Sequence, residues 1–173
     1  WEARQRLGLK NWSTGRQILT YRAVSALGSR GVPFRWPANA AAPGASEIPL
    51  TLVAALNRNG AGVVDTYGSL RLNYLRGDRT YESTTAVSNL YRQRASLLVD
   101  IVDSKVVYLG KPSATYADSS NPGYSVFKAA QANRTPLVFV GANDGMLHAF
   151  DATDSSTGGT EVFALVPYSV YEG

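Results

Sequence analysis

Three short apolar runs near the end of the chain, separated by turn signals, constrain the fold more than any other feature. Residues 137–140 (LVFV), 146–150 (MLHAF) and 161–166 (EVFALV) each have the length of one strand. The first two flank an Asn-Asp-Gly turn signal, and a loop of Asp, Ser, Thr and Gly precedes the third. This pattern predicts an antiparallel meander. Because so small a sheet is unstable alone, it needs neighbours that cover a face.

A similar strand motif occurs upstream of these runs. Residues 106–110 (VVYLG) resemble residues 137–141 (LVFVG). Strands that recur at intervals of tens of residues indicate a propeller or another repeat array. We therefore interpret residues 96–173 as blade strands, interrupted by a short helix over residues 124–133.

Residues 1–95 form the less regular half, which we interpret as a strand and helix segment of the same partial propeller domain. The patterns predict strands at residues 15–21 and 32–36, the second because apolar residues alternate there. Helices are predicted over residues 50–56 and 65–76. A partial propeller exposes unpaired strand edges, which favour aggregation.

Composition excludes several classes of protein. The chain has 173 residues and no cysteine, so neither a disulfide scaffold nor a cysteine-based zinc site is available. No stretch approaches the roughly 20 apolar residues of a transmembrane helix. The chain opens WEARQRLGLK, without an initiator Met or an apolar signal region, and we expect it to be a piece of a longer protein.

Charged residues are unevenly distributed along the chain. Residues 1–36 hold many cations and only one acidic residue, whereas residues 135–173 hold acidic residues and no Lys or Arg. Cations could meet phosphates, but their scattered placement favours a solvated face or a contact within the parent protein, so no nucleic-acid partner is predicted. Further along, Arg92 and Arg94 are expected to pair with Asp100 or Asp103, or to cap nearby carbonyls.

No catalytic or metal-binding residue is predicted. His148 is the only histidine and lies in a predicted strand, so we interpret it as a packed or surface strand residue. A transition-metal site lacks a second His or Cys. The EF-hand spacing fails when counted from Asp144 and when counted from Asp151. No cofactor is therefore expected in this segment.

The Asn143-Asp144-Gly145 stretch is expected to be a structural turn. Positive φ angles at Asn, Asp and Gly cost little, which suits a tight hairpin. A phosphate-binding loop is excluded, because neither a Lys-Ser/Thr pair nor a helix follows.

Arg76-Gly77-Asp78 has two interpretations. It is a candidate receptor-binding tripeptide, since cell-surface receptors read this sequence when it lies in an exposed, extended loop. Alternatively, Gly77 ends the preceding helix in a left-handed conformation, which favours a structural role.

The stretch VFVGANDGMLHAFDA, residues 138–152, resembles the C-terminal propeller of the PilC/PilY family of type IV pilus-associated proteins. Residues 15–21, 71–79, 91–112 and 161–167 match the pattern of that family in the same order. The resemblance covers roughly the whole chain, and its specificity comes from the combination of pieces.

This resemblance implies a mainly β fold with some helix, part of a modified quinoprotein-like β-propeller with about one to two blades plus connecting helices. Phe163 stands where that propeller class usually docks a Trp between blades, and an aromatic ring there fills the seam between sheets. The related family carries a calcium-binding loop, but no segment of this chain matches it, so any calcium site is expected elsewhere in the parent protein.

The resemblance also implies a function. Related proteins are non-enzymatic and support pilus extension, twitching motility and attachment to host cells or abiotic surfaces. The expected partners are minor pilins and such a surface, and the expected location is the bacterial cell surface, at the pilus tip or outer membrane. Two alternatives stay open: a quinoprotein-type dehydrogenase, and a periplasmic or outer-membrane scaffold that binds only proteins.

Overall fold

A computed structural model describes residues 1–23, 30–84 and 91–171 of the chain. The helices in these ranges are α1 (Ala3–Gly8), α2 (Leu50–Leu56), α3 (Gly68–Arg76) and α4 (Tyr124–Ala130), and a 3₁₀ turn spans Tyr168–Val170. The strands are β1 (Ile18–Tyr21), β2 (Gly31–Pro33), β3 (Glu82–Ser83), β4 (Tyr91–Arg92), β5 (Val107–Leu109), β6 (Leu137–Gly141), β7 (Leu147–Asp151) and β8 (Glu161–Val166). No helix of the described ranges is long and apolar enough to cross a membrane.

Six of these strands form one sheet in the order β2-β1-β8-β7-β6-β5. The four strands from β5 to β8 pair antiparallel with their sequence neighbours, so the predicted meander is confirmed and gains a fourth strand. Strand β1 then joins β8 in the parallel direction, and β2 pairs antiparallel with β1. The two halves of the chain therefore share one sheet. Strands β3 and β4 form a separate parallel pair.

The two similar motifs at β5 and β6 are neighbours within this sheet. Val107 pairs with Phe139, and Leu109 pairs with Leu137, in antiparallel register. The similarity of these two segments therefore arises within one sheet and is not a repeat from one sheet to the next. Both segments are apolar and β-branched because each lies in the same pleated surface.

The hairpin between β6 and β7 turns on a single glycine. Gly145 has φ of +80° and donates its N–H to Ala142 O at 3.1 Å. Asn143 and Asp144 keep negative φ, so the expectation of positive φ at all three residues is correct only for Gly145. A three-residue loop that ends in a left-handed glycine is a common hairpin connection and explains the difference.

The predicted helix over residues 65–76 begins later than expected, at Gly68. Asp65 lies before it, accepts the N–H of Tyr67 at 3.0 Å and pairs with Arg71. The end is as predicted. Gly77 has φ of +121°, and the N–H groups of Gly77 and Asp78 both donate to Asn73 O, at 3.0 and 2.9 Å.

Helices α2 and α3 cover one face of the sheet around β1 and β8. The core there joins Ile18, Ala164 and Val166 from the strands to Leu52 and Leu72 from the helices. The opposite face is half-covered. Phe139 and Phe163 meet edge to face across it, with ring centroids 6.1 Å apart.

Candidate functional site

A chain of four buried charged side chains crosses the sheet beneath the helices. Arg16 donates two hydrogen bonds of 2.8 Å to the carboxylate of Glu161. Glu161 Oε1 lies 2.9 Å from His148 Nδ1, and His148 Nε2 lies 3.1 Å from Asp144 Oδ2. The side chains of Arg16, Glu161 and His148 are at most 1 % exposed. Two cations thus alternate with two carboxylates, and each buried charge has a partner of opposite sign.

These contacts shift the pKa values of the two central groups in opposite directions. Burial lowers the pKa of His148, but its hydrogen bonds to Asp144 and Glu161 outweigh burial and raise the pKa to about 9. Burial raises the pKa of Glu161, but Arg16 and His148 outweigh it and lower the pKa to about 2. At neutral pH, His148 is therefore a cation that donates to both carboxylates. A permanently charged imidazolium is a poor general base, so the geometry favours a structural role.

The site depends on strand placement. Residues of β7 and β8 bring His148 beside Ala164, and the parallel pairing of β1 with β8 places the segment before Ile18 next to Glu161. Lys10 adds to this junction, because its Nζ donates to the backbone oxygen of Glu161 at 2.7 Å. Some cations of the basic N-terminal region are therefore bound within the chain by the acidic C-terminal region, as in the Arg16–Glu161 pair.

Two arginines bind the carbonyl-rich C-terminal end of α3. Arg16 Nη1 donates to Arg76 O at 2.7 Å, and Arg94 Nη1 donates to Tyr74 O at 2.8 Å. Arg94 also pairs with Glu82 at 2.7 Å, rather than with the predicted Asp100 or Asp103. The predicted alternative, capping of carbonyls, is confirmed. Cations at a helix C-terminus are stabilised by its partial negative charge.

Arg76 of the Arg-Gly-Asp tripeptide lies in the interior. Its guanidinium donates to Phe34 O at 2.9 Å and to Trp12 O and Ser13 O at 3.0 and 3.1 Å. Burial and the neighbouring Arg35 and Arg16 lower its pKa to about 10. This burial argues against the receptor-binding hypothesis and favours the structural one.

The other two residues of the tripeptide are also at least partly covered. Gly77 is buried, and Asp78 is half-buried. Asp78 Oδ1 accepts the N–H of Thr80 at 3.0 Å and its hydroxyl at 2.6 Å, which is a local turn contact. Both residues line a cleft of about 550 Å³ that also borders helix α1. Receptor binding by Arg76, Gly77 and Asp78 thus stays a prediction.

Asp144 connects the charged chain to a second depression. A groove of about 800 Å³ runs along α2, with Asp144 and Met146 in one wall and Tyr171 near its end. Asp144 also accepts the N–H of Met146 at 3.0 Å, so the turn residue has a structural contact in addition to His148.

Phe163 is half-buried on the sheet face away from α2 and α3, where it contacts Phe139. This is the face that a neighbouring sheet would cover, and the proposed docking role of Phe163 stays a prediction. Across the described ranges, no group of three or more His, Cys, Asp or Glu side chains is arranged to hold a metal ion.

Sequence reasoning missed the charged chain because its members are far apart in the sequence. Arg16 and Glu161 were placed in predicted strands, but nothing in the sequence pairs those strands. The signal that the sequence offers is His148, a single histidine in an apolar strand, four residues after Asp144 on the same hairpin. A buried titratable group in such a position requires charged partners.

Comparison with known proteins gives one family. Residues 98–172, which include strands β5 to β8, match the family model of the PilY1 beta-propeller domain. No solved structure matches the chain significantly.

Several curated relatives are similar to the chain. A type IV pilus biogenesis factor PilY1 homolog of Xylella fastidiosa is 46% identical over 101 residues, which are 56% of this chain and 8% of the relative. PilY1 of Pseudomonas aeruginosa strain PAK is 46% identical over 114 residues, 64% of this chain and 9% of the relative. PilY1 of strain UCBPP-PA14 is 35% identical over 160 residues, 88% of this chain and 12% of the relative. The chain therefore spans a small part of the length of the relatives it matches.

Proposed function

Because this chain belongs to the PilY1 family and carries part of its β-propeller domain, we propose that it is a non-enzymatic segment of a type IV pilus biogenesis factor. The observation that carries this proposal is the antiparallel sheet β5–β8, which lies inside the matched residues and leaves one apolar face half-covered. A propeller is closed by sheets that pack face to face around an axis, and such a face is suited to that contact.

The buried charges support a framework role over catalysis. Arg16, Glu161 and His148 are enclosed and satisfied by one another, and none of them contacts solvent. A catalytic group must reach a substrate, usually in an open pocket. Their function in this proposal is to fix β1 against β8 and so hold the sheet in one register.

Within this proposal, the parent protein acts at the bacterial cell surface, at the pilus tip or outer membrane. It promotes pilus extension and twitching motility together with minor pilins, and it attaches the cell to host or abiotic surfaces. The names of the relatives support the pilus part of this proposal. Attachment, motility and the pilus-tip location rest on the resemblance to the family.

A genetic experiment tests the pilus part. The gene would be deleted in the source bacterium and restored either with the natural sequence or with Glu161→Ala. Sheared surface pilin, total pilin and the twitching zone would be measured. We expect the deletion to remove most surface pilin at unchanged total pilin, and Glu161→Ala to restore little of it. The matched control is Glu2→Ala, which removes an exposed carboxylate and should restore piliation fully. Normal piliation in the deletion strain would contradict the proposal.

Two further measurements separate this proposal from its alternatives. Antibody labelling of intact cells should detect the protein, whereas a periplasmic scaffold would be labelled only after the outer membrane is opened. The natural protein supplied with a quinone and calcium should not oxidise alcohols with an artificial dye acceptor. Dye reduction above the level of the heat-treated protein would favour the dehydrogenase.

A further inference from the structure

The cleft beside the end of α3 has the size of a binding site for a small ligand. Its volume is about 550 Å³, within the range of roughly 300–1,000 Å³ that ligand pockets occupy. One wall comes from α1 and the loop after it, and the other comes from the turn that follows Gly77. Its lining shares no residue with the groove beside Asp144, and Lys10 connects it to the backbone oxygen of Glu161.

Three cations line this cleft against a single carboxylate. Arg4, Lys10 and Arg79 contribute positive charge, and Asp78 contributes the negative charge. The Asp78 carboxylate is directed to Thr80, whose N–H and hydroxyl it accepts. Glu2 pairs with Arg4, Glu82 pairs with Arg79, and Lys10 donates to the backbone oxygens of Gly15 and Glu161. An anion in the cleft would therefore be held by the guanidinium donors that these contacts leave open.

The two arginines keep donors for such an anion. Arg4 uses its Nε for Glu2 at 2.9 Å. Arg79 uses its Nε for Glu82 at 2.9 Å and its Nη2 for Arg94 O, which leaves its Nη1. Their side chains are 58% and 47% exposed. In the described part of the chain, the Nη atoms of Arg4 have no hydrogen-bond partner. A guanidinium with open Nη donors matches the geometry of a carboxylate.

The remaining lining favours a sugar over a simple anion. Trp12 supplies an aromatic surface, and the electron-rich face of an indole attracts the C–H groups of a sugar ring. Gln5, Asn11, Thr80 and Ser96 supply neutral side chains that hydrogen-bond with hydroxyl groups. A phosphate ion would use the cations but not the aromatic surface.

We propose that this cleft binds an oligosaccharide that ends in a carboxylate-bearing sugar, with Arg4 and Arg79 at the carboxylate and Trp12 under the ring. This proposal deepens the attachment part of the proposed function and depends on it, because it names the surface chemistry that would be recognised. It assigns the residues around Gly77 and Asp78 to the wall of a sugar site.

The test compares two probes that differ by one acidic sugar. Sialyllactose and lactose would be titrated into the natural protein that contains this chain, and binding would be followed by calorimetry. We expect sialyllactose to bind at least tenfold more tightly than lactose. Arg4→Gln should weaken sialyllactose binding about tenfold, as expected for the loss of one charge-assisted contact. Arg6→Gln is the matched control on the same helix, outside the cleft lining, and should leave binding unchanged.

Three outcomes would overturn the proposal. Equal affinity for both sugars would remove the carboxylate from recognition. Unchanged binding by Arg4→Gln would place the site elsewhere. Inorganic phosphate or an acidic peptide that displaces sialyllactose at equal concentration would identify a general anion site.

The two proposals fail separately. If the Arg4→Gln strain assembles normal pili and the natural protein does not bind sialyllactose, the sugar proposal fails and the proposed role in pilus biogenesis is retained. If sialyllactose binds but deletion of the gene leaves piliation normal, the proposed pilus function fails and the cleft is still a sugar site.

Discussion

The two ends of the main sheet contain similar apolar strands but differ in how far other elements cover them. At β1 and β8, the helices bury Ile18 and Val166, and the Arg16–Glu161 pair lies beneath them. At the β5 end, Val107 and Tyr108 are 57% and 65% exposed. The sequence of a strand therefore does not decide how much that strand contributes to the stability of the sheet. The elements that cover the strand decide this contribution, and five substitutions or conditions would test the contrast.

The largest effect is expected at Glu161. Glu161→Ala leaves Arg16 and His148 buried without a carboxylate between them, and removing one partner of a buried ion pair costs about 3–5 kcal/mol. Hydrogen exchange of the natural protein should show faster exchange of amides in β7 and β8. Glu2→Ala removes an exposed carboxylate and serves as the control, with no change expected. Unchanged protection in Glu161→Ala would mean that the charged chain does not stabilise the sheet.

The next effect concerns Arg76. Arg76→Met removes the donors for three backbone oxygens, including Phe34 O and Trp12 O, and should cost about 2–3 kcal/mol. Arg92→Met, at an exposed position of β4, should cost little. Proteolytic susceptibility of the natural protein would measure both. Equal susceptibility of the two variants would show that Arg76 is not a structural residue.

A substitution at Asp78 tests whether the Arg-Gly-Asp tripeptide binds a receptor or has only a structural role. Asp78 is half-buried, and Asp78→Glu keeps its charge, so this substitution should leave the fold intact. If Arg-Gly-Asp binds a host receptor, this change should abolish attachment of cells. Unchanged attachment, together with destabilisation by Arg76→Met, would leave the tripeptide with a structural role alone.

The charged chain should also make the buried end of the sheet sensitive to pH. The pKa of His148 is raised to about 9, so its stabilisation is complete below about 6.5 and is lost as the pH rises through 9. The pKa of Glu161 is lowered to about 2, so its stabilisation is complete above about 4.5 and is lost as the pH falls through 2. Protection of β7 and β8 should therefore be greatest between about pH 4.5 and 6.5.

A substitution at His148 separates the alkaline limb of this pH profile from the acidic limb. His148→Gln should flatten the alkaline limb while leaving the acidic limb, which depends on Glu161 and Arg16. Asp144 faces His148 from the hairpin, with its Oδ2 3.1 Å from His148 Nε2. An unchanged alkaline limb in His148→Gln would assign the pH dependence to other groups.

The smallest effect on stability is expected at the open edge. Tyr108→Lys replaces an exposed side chain on β5 and should change stability by no more than about 0.5 kcal/mol. Because a charge on an unpaired edge blocks strand pairing between molecules, light scattering should show less association of the isolated chain. Val140→Lys, at a buried position of the neighbouring strand, should instead unfold the sheet. Equal effects at the two positions would contradict the contrast.

Much of the fold could be predicted from the sequence because local signals specify it. The three C-terminal strands are separated by turn residues, and Gly77 ends α3 as its position indicated. The start of α3 could not be placed, because Asp65 uses its carboxylate for Arg71 and Tyr67 rather than for a helix cap. The sequence could not show how the motifs at β5 and β6 are related, because similarity alone does not distinguish neighbours in one sheet from equivalent strands in two blades.

The sequence by itself determined the strands, the turns and the family resemblance, because each depends on residues close together in the chain. Only the tertiary structure decided that β1 joins β8, which brings Arg16 to Glu161 across 145 positions of sequence. That contact decides which charges are buried, and with them the pKa of His148. Tertiary packing likewise directs the Arg76 side chain into the interior and places Asp78 beside a cleft. Burial depends on what packs over a residue, and no local pattern contains that information.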